Sequence, residues 1–285
     1  MATNDTPCET ASVTSLSANI ADRYTSPAWL EAENARLWPR VWRMVAPAVD
    51  QRTFDAPRVE TFAGLSWINS DPHAGSLRAW LGPVAPLIEA YDLGAMTLES
   101  DMSMVLACNW KASVDAHNEG YHVHTLHPEI LSFVDDTAVE LALFGPHGRM
   151  IVPMGRPSGR RPGATVPADL RVQSDNHMFY IFPNLQLNCY ADHAMIFRHQ
   201  PHPTDPGICR FDQQILRRGD GPRRASAHRT LTRHRHSLGP VTDADLDVVE
   251  QLQLGMMGRG FDDPVWSQQE AFIAHMHANL EAWLS

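Results

Sequence analysis

Residues 109–127 read NWKASVDAHNEGYHVHTLH, and this stretch decides how the rest of the chain is interpreted. It holds four histidines and two carboxylates directly after an apolar run that is typical of a buried strand. Imidazole is a good ligand for first-row transition metals, and two histidines with one carboxylate are an established ligand set for mononuclear ferrous iron. The stretch therefore indicates a metal site. The alternative is a group of surface and core histidines without an ion.

Spacing alone does not select the ligands within this stretch. On a regular helix His124 and His127 share a face, whereas His122 and His127 diverge by about 140°. A pair made of His122 and His127 therefore requires the helix to break between them. Pro128 favours such a break, because the residue before a proline is pushed out of helical geometry.

Length, composition and charge limit the class of protein. The chain has 285 residues, of which 44% are hydrophobic, and this suits one large domain or two small ones. Its first twenty-odd residues lack the basic start and apolar core of an export signal, so we expect a flexible tail. No apolar run approaches the roughly 18 residues of a membrane span. The net charge of −10 argues against nucleic acid as the main partner. We expect a cytoplasmic protein without a membrane or nucleic-acid partner.

The cysteines argue against a local metal-sulfur site. Cys8, Cys108, Cys189 and Cys209 are scattered, without a Cys-x-x-Cys spacing. That is unlike a zinc ribbon or the usual iron-sulfur motifs, and it favours reduced, buried thiols.

Beyond residue 58 the pattern predicts a mostly antiparallel sheet. Short strand-like runs, separated by Gly, Pro and Asp, cover residues 60–69, 102–110, 141–153, 177–190, 194–200 and 208–216. The segment 191–193 is short and polar enough to close a hairpin between two of them. A run rich in Gly, Pro and Arg at residues 156–167 predicts a loop.

Helices are predicted at both ends of the sheet region. Ser26-Pro27 has the N-cap and first-turn residues of a helix that Pro39 should end or kink. Residues 242–245 and 267–270 both have the form of a capping box ahead of apolar residues at helical spacing. Helices and strands do not alternate regularly, so the fold class is α+β, with a curved antiparallel sheet and a long C-terminal helix across it.

The histidine-rich stretch resembles the mononuclear-iron motif of the large subunits of Rieske non-haem iron oxygenases. The matching positions are Asn109, Trp110, Lys111, Asp115, Glu119, Tyr121, His122 and His127. Residues 24–42, 62–69 and 182–185 and the final helix are similar to family stretches as well. Ala116 departs from the motif, since the family usually has Asn there. The resemblance implies a helix-grip (START-like) fold and O2-dependent hydroxylation of hydrophobic, often aromatic, molecules.

The resemblance also implies the ligands. His122 and His127 correspond to the two histidines that bind iron in the family. A later family pattern is matched by Asp245, Glu250, Gln253 and Gly255. Asp245 is therefore implied as the third ligand, with Asp243 and Asp247 as alternatives. The competing interpretation of Asp245 is the N3 residue of a capping box, where it would only bind backbone N–H groups.

Glu119 and Tyr121 are the candidate catalytic residues beside the ligands. Glu119 matches an acidic residue that links the iron site to the cluster of a neighbouring subunit, and its alternative role is to orient a ligating histidine. Tyr121 either lines the pocket or packs. His117 and His124 match no family role, and we expect each to lie beside the ligands or to face solvent.

Family members also carry a Rieske domain whose [2Fe-2S] cluster is held by Cys-x-His and Cys-x-x-His. The sequence passes from residues 42–45 to 58–60 without that spacing, so we expect mononuclear Fe2+ and no [2Fe-2S] cluster in this chain. We expect a tail and N-terminal helical segment at residues 1–50 and a catalytic domain with the iron site at 51–285. The resemblance implies a homo-oligomer, commonly a trimer.

Three hypotheses follow for function. The chain is an oxygenase that takes electrons from a separate ferredoxin or Rieske protein, an iron enzyme whose substrate supplies the electrons, or a non-catalytic helix-grip protein that binds a ligand. Seven arginines between Arg217 and Arg235 are either a solvated surface or a docking patch for an acidic partner. The complete ligand set favours an enzyme acting on a hydrophobic small molecule.

Overall fold

The computed structural model describes residues 19–47, 55–132, 134–154, 175–190, 193–219, 240–258, 261 and 264–285. Within these residues the strands form two antiparallel sheets. The smaller sheet has the order β1-β3-β2 and consists of β1 (Arg43–Pro47), β2 (Arg58–Phe62) and β3 (Leu65–Asn69). We predicted a domain boundary between residues 50 and 51. The strand β1 lies before this boundary and pairs with β3, which lies after it, so one sheet contains residues from both sides. That division stays a prediction.

The larger sheet has seven strands in the order β4-β10-β9-β8-β7-β6-β5, and every neighbouring pair is antiparallel. Its strands are β4 (Met96–Leu106), β5 (Glu140–Phe144), β6 (His147–Val152), β7 (Asn176–Ile181), β8 (Leu185–Cys189), β9 (His193–Pro201) and β10 (Cys209–Arg218). The predicted antiparallel sheet of an α+β fold is thereby confirmed.

Three of the predicted single strands are hairpins. Residues 60–69 turn at Ala63 (φ 50°) and Gly64 (φ 74°), and two successive left-handed residues are typical of a tight hairpin turn. Residues 141–153 turn between β5 and β6 at Gly145 (φ 59°). Residues 177–190 turn between β7 and β8, where the Phe182–Pro183 peptide bond is cis. Each turn is so short that the apolar pattern continues almost unbroken across it.

The α-helices are α1 (Asp22–Thr25), α2 (Pro27–Ala32), α3 (Leu77–Leu81), α4 (Ala85–Glu89), α5 (Trp110–Ala116), α6 (Val123–Leu126), α7 (Pro240–Met256) and α8 (Ala271–Leu284). A π-helix at Glu33–Leu37 extends α2, and 3-10 turns occupy Gly82–Val84, Leu93–Ala95, Ile130–Ser132 and Gln268–Glu270. Two predicted helix starts are confirmed. Ser26 accepts a hydrogen bond from the Ala28 backbone N–H, and Ser267 with Glu270 forms a complete capping box.

Two predicted boundaries are wrong. The helix predicted to begin after Thr242 already includes Pro240, so residues 242–245 lie inside α7 rather than at its N-cap. Thr242 instead accepts a hydrogen bond from Gln213 at 3.2 Å. The strand predicted over 102–110 ends at Leu106, because the Asn109 side chain caps α5 by accepting from the Lys111 backbone N–H at 3.0 Å.

Both faces of the large sheet are covered. On β7, Met178 and Tyr180 belong to the apolar core on the side of α5, α7 and α8, whereas Phe179 and Ile181 belong to the core shared with the small sheet. Successive side chains of a strand point to opposite faces, so this alternation places one core on each side. A central strand such as β8 is consequently buried along its whole length.

A buried ion pair anchors the helix that opens the histidine-rich stretch. Lys111, the only lysine in the chain, places Nζ 2.5 Å from Oε1 of Glu33, and both side chains are almost fully buried. The Trp110 indole N–H donates to the other Glu33 oxygen at 2.8 Å. Glu33 therefore ties the N-terminal helical segment to α5. Burial lowers the pKa of Lys111, and the Glu33 charge opposes that shift.

Some predictions fall partly or wholly outside the described residues. These are the tail at 1–18, Cys8, the loop at 156–167, the turn residues 191–192 and the arginines from Arg223 to Arg235. Cys108, Cys189 and Cys209 are free and buried, as predicted. Within the described part of the chain, no helix combines the length and apolar character needed to cross a membrane.

Candidate metal centre

The local backbone explains how two histidines five positions apart come together. After α5 ends at Ala116, the chain turns and begins the single-turn helix α6, with His122 at its N-cap. His127 follows α6 with φ −122° and ψ 55°, outside helical geometry. The break predicted from Pro128 is therefore present, and the side chains of His122 and His127 converge with ring centroids 5.2 Å apart.

Asp245 on α7 meets both histidines. Its Oδ1 atom lies 2.6 Å from His127 Nε2 and 3.6 Å from His122 Nε2. One ligand atom from each of the three residues can be chosen so that all lie within 4.8 Å of one another. The group includes neither Asp243 nor Asp247, the predicted alternatives. Because Asp245 lies inside α7, the helix-cap interpretation of this residue is wrong.

The donor set fits a mononuclear ferrous ion. His127 and Asp245 are 1% and 8% exposed, so the carboxylate is buried against two imidazoles rather than hydrated. A buried carboxylate needs a cation or hydrogen-bond donors beside it. Two imidazole nitrogens with one carboxylate oxygen, and a cavity on the remaining side, are the ligands and open positions that non-haem ferrous iron uses.

Glu119 orients His122. One carboxylate oxygen of Glu119 accepts a hydrogen bond from His122 Nδ1, and the other accepts from the backbone N–H groups of Tyr121 and His122. Since a carboxylate only accepts, Nδ1 carries the proton and Nε2 is left to face Asp245. Burial would lower the pKa of His122, but the hydrogen bond and charge of Glu119, aided by Asp245, outweigh it and raise that pKa.

Tyr121 and His124 lie at the surface side of the same turn. Tyr121 is 51% exposed and is not among the residues that line the cavity. Its ring packs edge-on against the half-buried His124, whose Nδ1 donates to the Tyr121 carbonyl at 2.7 Å. A catalytic role for Tyr121 stays a prediction.

His117 lies beside the candidate ligand Asp245, which the sequence alone did not establish. Its Nδ1 donates to the Ser113 carbonyl at 2.8 Å, and its Nε2 lies 3.9 Å from Asp245 Oδ2. The ring stacks on Phe211 with centroids 5.4 Å apart, and burial lowers the pKa of this histidine although Asp245 opposes the shift. Ala116, where the motif departs from the family, also lines the cavity and offers no polar side-chain atom there.

A buried network under α5 was not foreseen. The Tyr24 hydroxyl donates to Asp115 Oδ2 at 2.6 Å and lies 2.7 Å from Nε2 of His277 on α8. Burial, and then the charge of Asp115, raise the pKa of Tyr24. These contacts hold α5, the helix that precedes the candidate metal centre, against α1 near the N-terminus and α8 near the C-terminus. They join residues up to 253 positions apart, which no local sequence pattern indicates.

The three candidate ligands open onto a cavity of about 130 Å³. Its wall is mainly aliphatic, methionine and aromatic, for example Val134, Val139, Met150, Met154, Met178 and Phe197. Among the described residues that line it there is neither lysine nor arginine. The arrangement can therefore hold an apolar molecule beside a metal ion.

Comparison with known families agrees with this geometry. A family model described as the catalytic domain of the ring hydroxylating alpha subunit matches residues 93–285, which include all three candidate ligands. The match covers more than half of the chain.

Similar proteins extend the comparison. The carnitine monooxygenase oxygenase subunit of Escherichia coli strain K12 is 26% identical over 237 residues, which are 77% of this chain and 59% of that protein. The chain thus spans about three-fifths of the length of the curated relatives that it matches.

Among solved structures, a quaternary ammonium Rieske monooxygenase has a TM-score of 0.74 at 15% identity, covering 92% of this chain and 94% of the other. Naphthalene 1,2-dioxygenase from Rhodococcus sp., bound to indole, has a TM-score of 0.68 at 14% identity, with coverage of 93% and 94%. At such identities the likeness shows the fold, a mixed helical and antiparallel-sheet architecture.

Proposed function

The chain belongs to the family of ring hydroxylating alpha subunits, and on that premise we propose that it is the iron-binding catalytic part of an oxygenase. Catalytic domains of this family bind mononuclear non-haem iron. The observation that carries the proposal is the convergence of His122, His127 and Asp245 at the end of an apolar cavity. We extend the proposal to a helix-grip arrangement of the large sheet and α8.

In this proposal each residue has a separate task. His122, His127 and Asp245 would hold Fe2+, which supplies the capacity to activate O2. Glu119 keeps the proton of His122 on Nδ1, so that Nε2 is available as a donor atom. The apolar wall orients a hydrophobic molecule and excludes water, which strengthens the electrostatic interactions within the site. His117, held between Ser113 and Phe211, keeps a fixed imidazole beside the second oxygen of Asp245.

The proposed electron source is a separate ferredoxin or Rieske protein. The 285 residues contain no Cys-x-His or Cys-x-x-His pair of the kind that holds a Rieske cluster. Glu119 accepts a hydrogen bond from the candidate ligand His122 and lies in the same turn as the exposed Tyr121. This position between the candidate iron site and the surface supports contact with an electron-donor protein. We further propose a homo-oligomer, with a trimer as the first arrangement to test.

The proposed substrate is an apolar small molecule. A second candidate is a quaternary ammonium compound, suggested by the similarity to a carnitine monooxygenase subunit and a quaternary ammonium monooxygenase. Tyr190, Phe197 and the buried Asp136 line the cavity, and aromatic faces with a carboxylate are groups that attract such a cation.

Oxygen uptake tests the proposal. The full chain, loaded anaerobically with Fe2+, is mixed with naphthalene, indole or carnitine, with and without a ferredoxin and its reductase. Uptake that requires both a substrate and the donor, and that disappears in Asp245→Ala, supports the proposal. Uptake without any donor favours an iron enzyme with substrate-derived electrons. An iron-loaded protein that binds these compounds without any oxygen uptake would instead favour the ligand-binding alternative.

A further inference from the structure

One wall of the cavity is formed by one face of the large sheet, and its residues are apolar except for two asparagines. Residues at alternate positions of β6, β7 and β9 point into the cavity and are apolar, namely Met150, Val152, Met178, Met195 and Phe197. Two amides interrupt this face, Asn176 on β7 and Asn188 on β8. They are 9% and 6% exposed. An amide is costly to bury in apolar surroundings unless its hydrogen bonds are made.

The two amides satisfy each other only in part. Asn176 Nδ2 donates to Asn188 Oδ1 at 3.3 Å. Among the described residues, Asn176 Oδ1 is buried without a hydrogen-bond partner. The Asn188 side chain uses its Oδ1 to accept from Asn176, and its Nδ2 makes no hydrogen bond to a described residue. The pair therefore presents one unused acceptor and one unused donor group at the cavity wall.

We propose that Asn176 and Asn188 bind an uncharged hydroxyl group at one end of an otherwise apolar substrate. A hydroxyl oxygen can accept from Asn188 Nδ2 while its O–H donates to Asn176 Oδ1, so it uses both free groups at once. A carbonyl oxygen would leave the Asn176 acceptor unpaired. The inference rests on the proposed function, because it takes this cavity as the substrate site.

The same geometry disfavours an anionic end group. A carboxylate would face the Asn176 oxygen, and no lysine or arginine among the described lining residues is there to neutralise it. Burying an uncompensated charge is more costly than burying an uncharged polar group. A trimethylammonium group has no N–H to donate, so it leaves Asn176 Oδ1 unpaired as well. Selection therefore depends on an uncharged group that both donates and accepts.

Three probes that differ in one substituent test this inference, namely naphthalene, 2-naphthol and 2-naphthoate. Dissociation constants are measured on the iron-free full chain, so that no turnover occurs. We expect 2-naphthol to bind about tenfold more tightly than naphthalene, as two net hydrogen bonds allow, and 2-naphthoate to bind more weakly than either. Asn188→Leu should remove the preference for the hydroxyl while naphthalene still binds.

Met178→Leu is the matched control, because it changes an apolar residue of the same wall and should keep the preference. Equal binding of naphthalene and 2-naphthol by the native chain would overturn the inference, as would tighter binding of 2-naphthoate. If Asn188→Leu fails to fold, the dissociation constants of the three probes for the native chain still test the inference. Asn176→Leu is the second variant. Iron binding and oxygen uptake are measured separately, so the proposed function can stand when this inference fails.

Discussion

His127 and Asp245 are 118 positions apart in the sequence, yet Nε2 of the histidine lies 2.6 Å from Oδ1 of the carboxylate. The contact depends on two independent features. α6 ends at Leu126, so the non-helical backbone of His127 turns the imidazole away from the helix, and α7 carries Asp245 to the same point. The candidate centre is thus assembled by the tertiary fold, and changes that disturb either feature should alter metal binding.

Glu119 should contribute to metal affinity through His122. In Glu119→Ala, Nδ1 of His122 loses its carboxylate partner, so the ring is no longer held in the tautomer and orientation that present Nε2. Loss of such an orienting group typically costs about 10–100-fold in metal affinity. Fe2+ or Co2+ titration measures the change, with His124→Ala as the control, because this histidine of the same segment is outside the candidate ligand group. Unchanged affinity in Glu119→Ala would restrict Glu119 to contact with an electron donor.

The buried pair between Lys111 and Glu33 should dominate the stability of the N-terminal segment. Lys111→Met leaves the Glu33 carboxylate buried without its cation, and breaking a buried pair in this way costs about 3–5 kcal/mol in unfolding free energy. The double variant Glu33→Gln, Lys111→Met removes the unpaired charge and should recover much of that loss. Urea unfolding measures both. A double variant less stable than Lys111→Met would show that the charge is not the cause.

Gly64 should not tolerate a side chain. Its φ is +74°, and a Cβ added there would lie 2.3 Å from the Gly94 Cα atom, so the backbone of one turn would have to move. We expect Gly64→Ala to lower the unfolding free energy by about 2 kcal/mol or more, from strain and overlap together. Gly75→Ala is the matched control, since nothing lies within 4 Å of its added Cβ. Equal midpoints of denaturation for the two variants would contradict this account.

His147 should make the fold sensitive to acid. Burial lowers the pKa of His147 to about 4, while its Nε2 donates to the Trp80 carbonyl and its Nδ1 accepts from the Phe182 N–H. The unfolded histidine titrates near 6.5, so this contribution to stability is full above that pH and is lost as the pH falls toward 4. The expected slope is about 1.4 kcal/mol per pH unit.

His147→Gln tests that pH dependence. A glutamine can donate and accept like the neutral imidazole but does not titrate, so its unfolding free energy should vary less with pH over the same interval. His73→Gln is the control, because His73 is exposed. An identical pH profile in native protein and His147→Gln would show that another group is responsible for acid sensitivity.

Local signals predicted local structure correctly. Ser26 and Ser267 mark helix starts because a cap depends on residues only two or three positions away. The same logic failed at Thr242, where the apparent capping box lies inside a helix and the threonine hydroxyl is used by Gln213 from the sheet. Three hairpins were taken for single strands, because a turn such as Ala63-Gly64 hardly interrupts an apolar run.

The candidate ligands were predictable only through the resemblance. Helical spacing by itself would have paired His124 with His127, whereas His127 is grouped with His122 and Asp245 in the structure. The strand-like run at residues 60–69 was predicted, but not that it belongs to a separate sheet. The helices α3 and α4 and the position of His117 beside Asp245 were missed. The sequence also gave no indication of the hydrogen-bond network that joins Tyr24, Asp115 and His277. Each of these depends on contacts between distant segments, which a single sequence does not display.

The most direct test of the account is iron content. The full chain is reconstituted anaerobically with Fe2+, and bound iron is counted in the native protein, His127→Ala, Asp245→Ala and the control His124→Ala. Circular dichroism verifies that each is folded. We predict about one iron per chain in the native protein and the control, and little or none in the two ligand variants. Folded native protein that takes up no iron, or ligand variants that bind as much as the native chain, would contradict it.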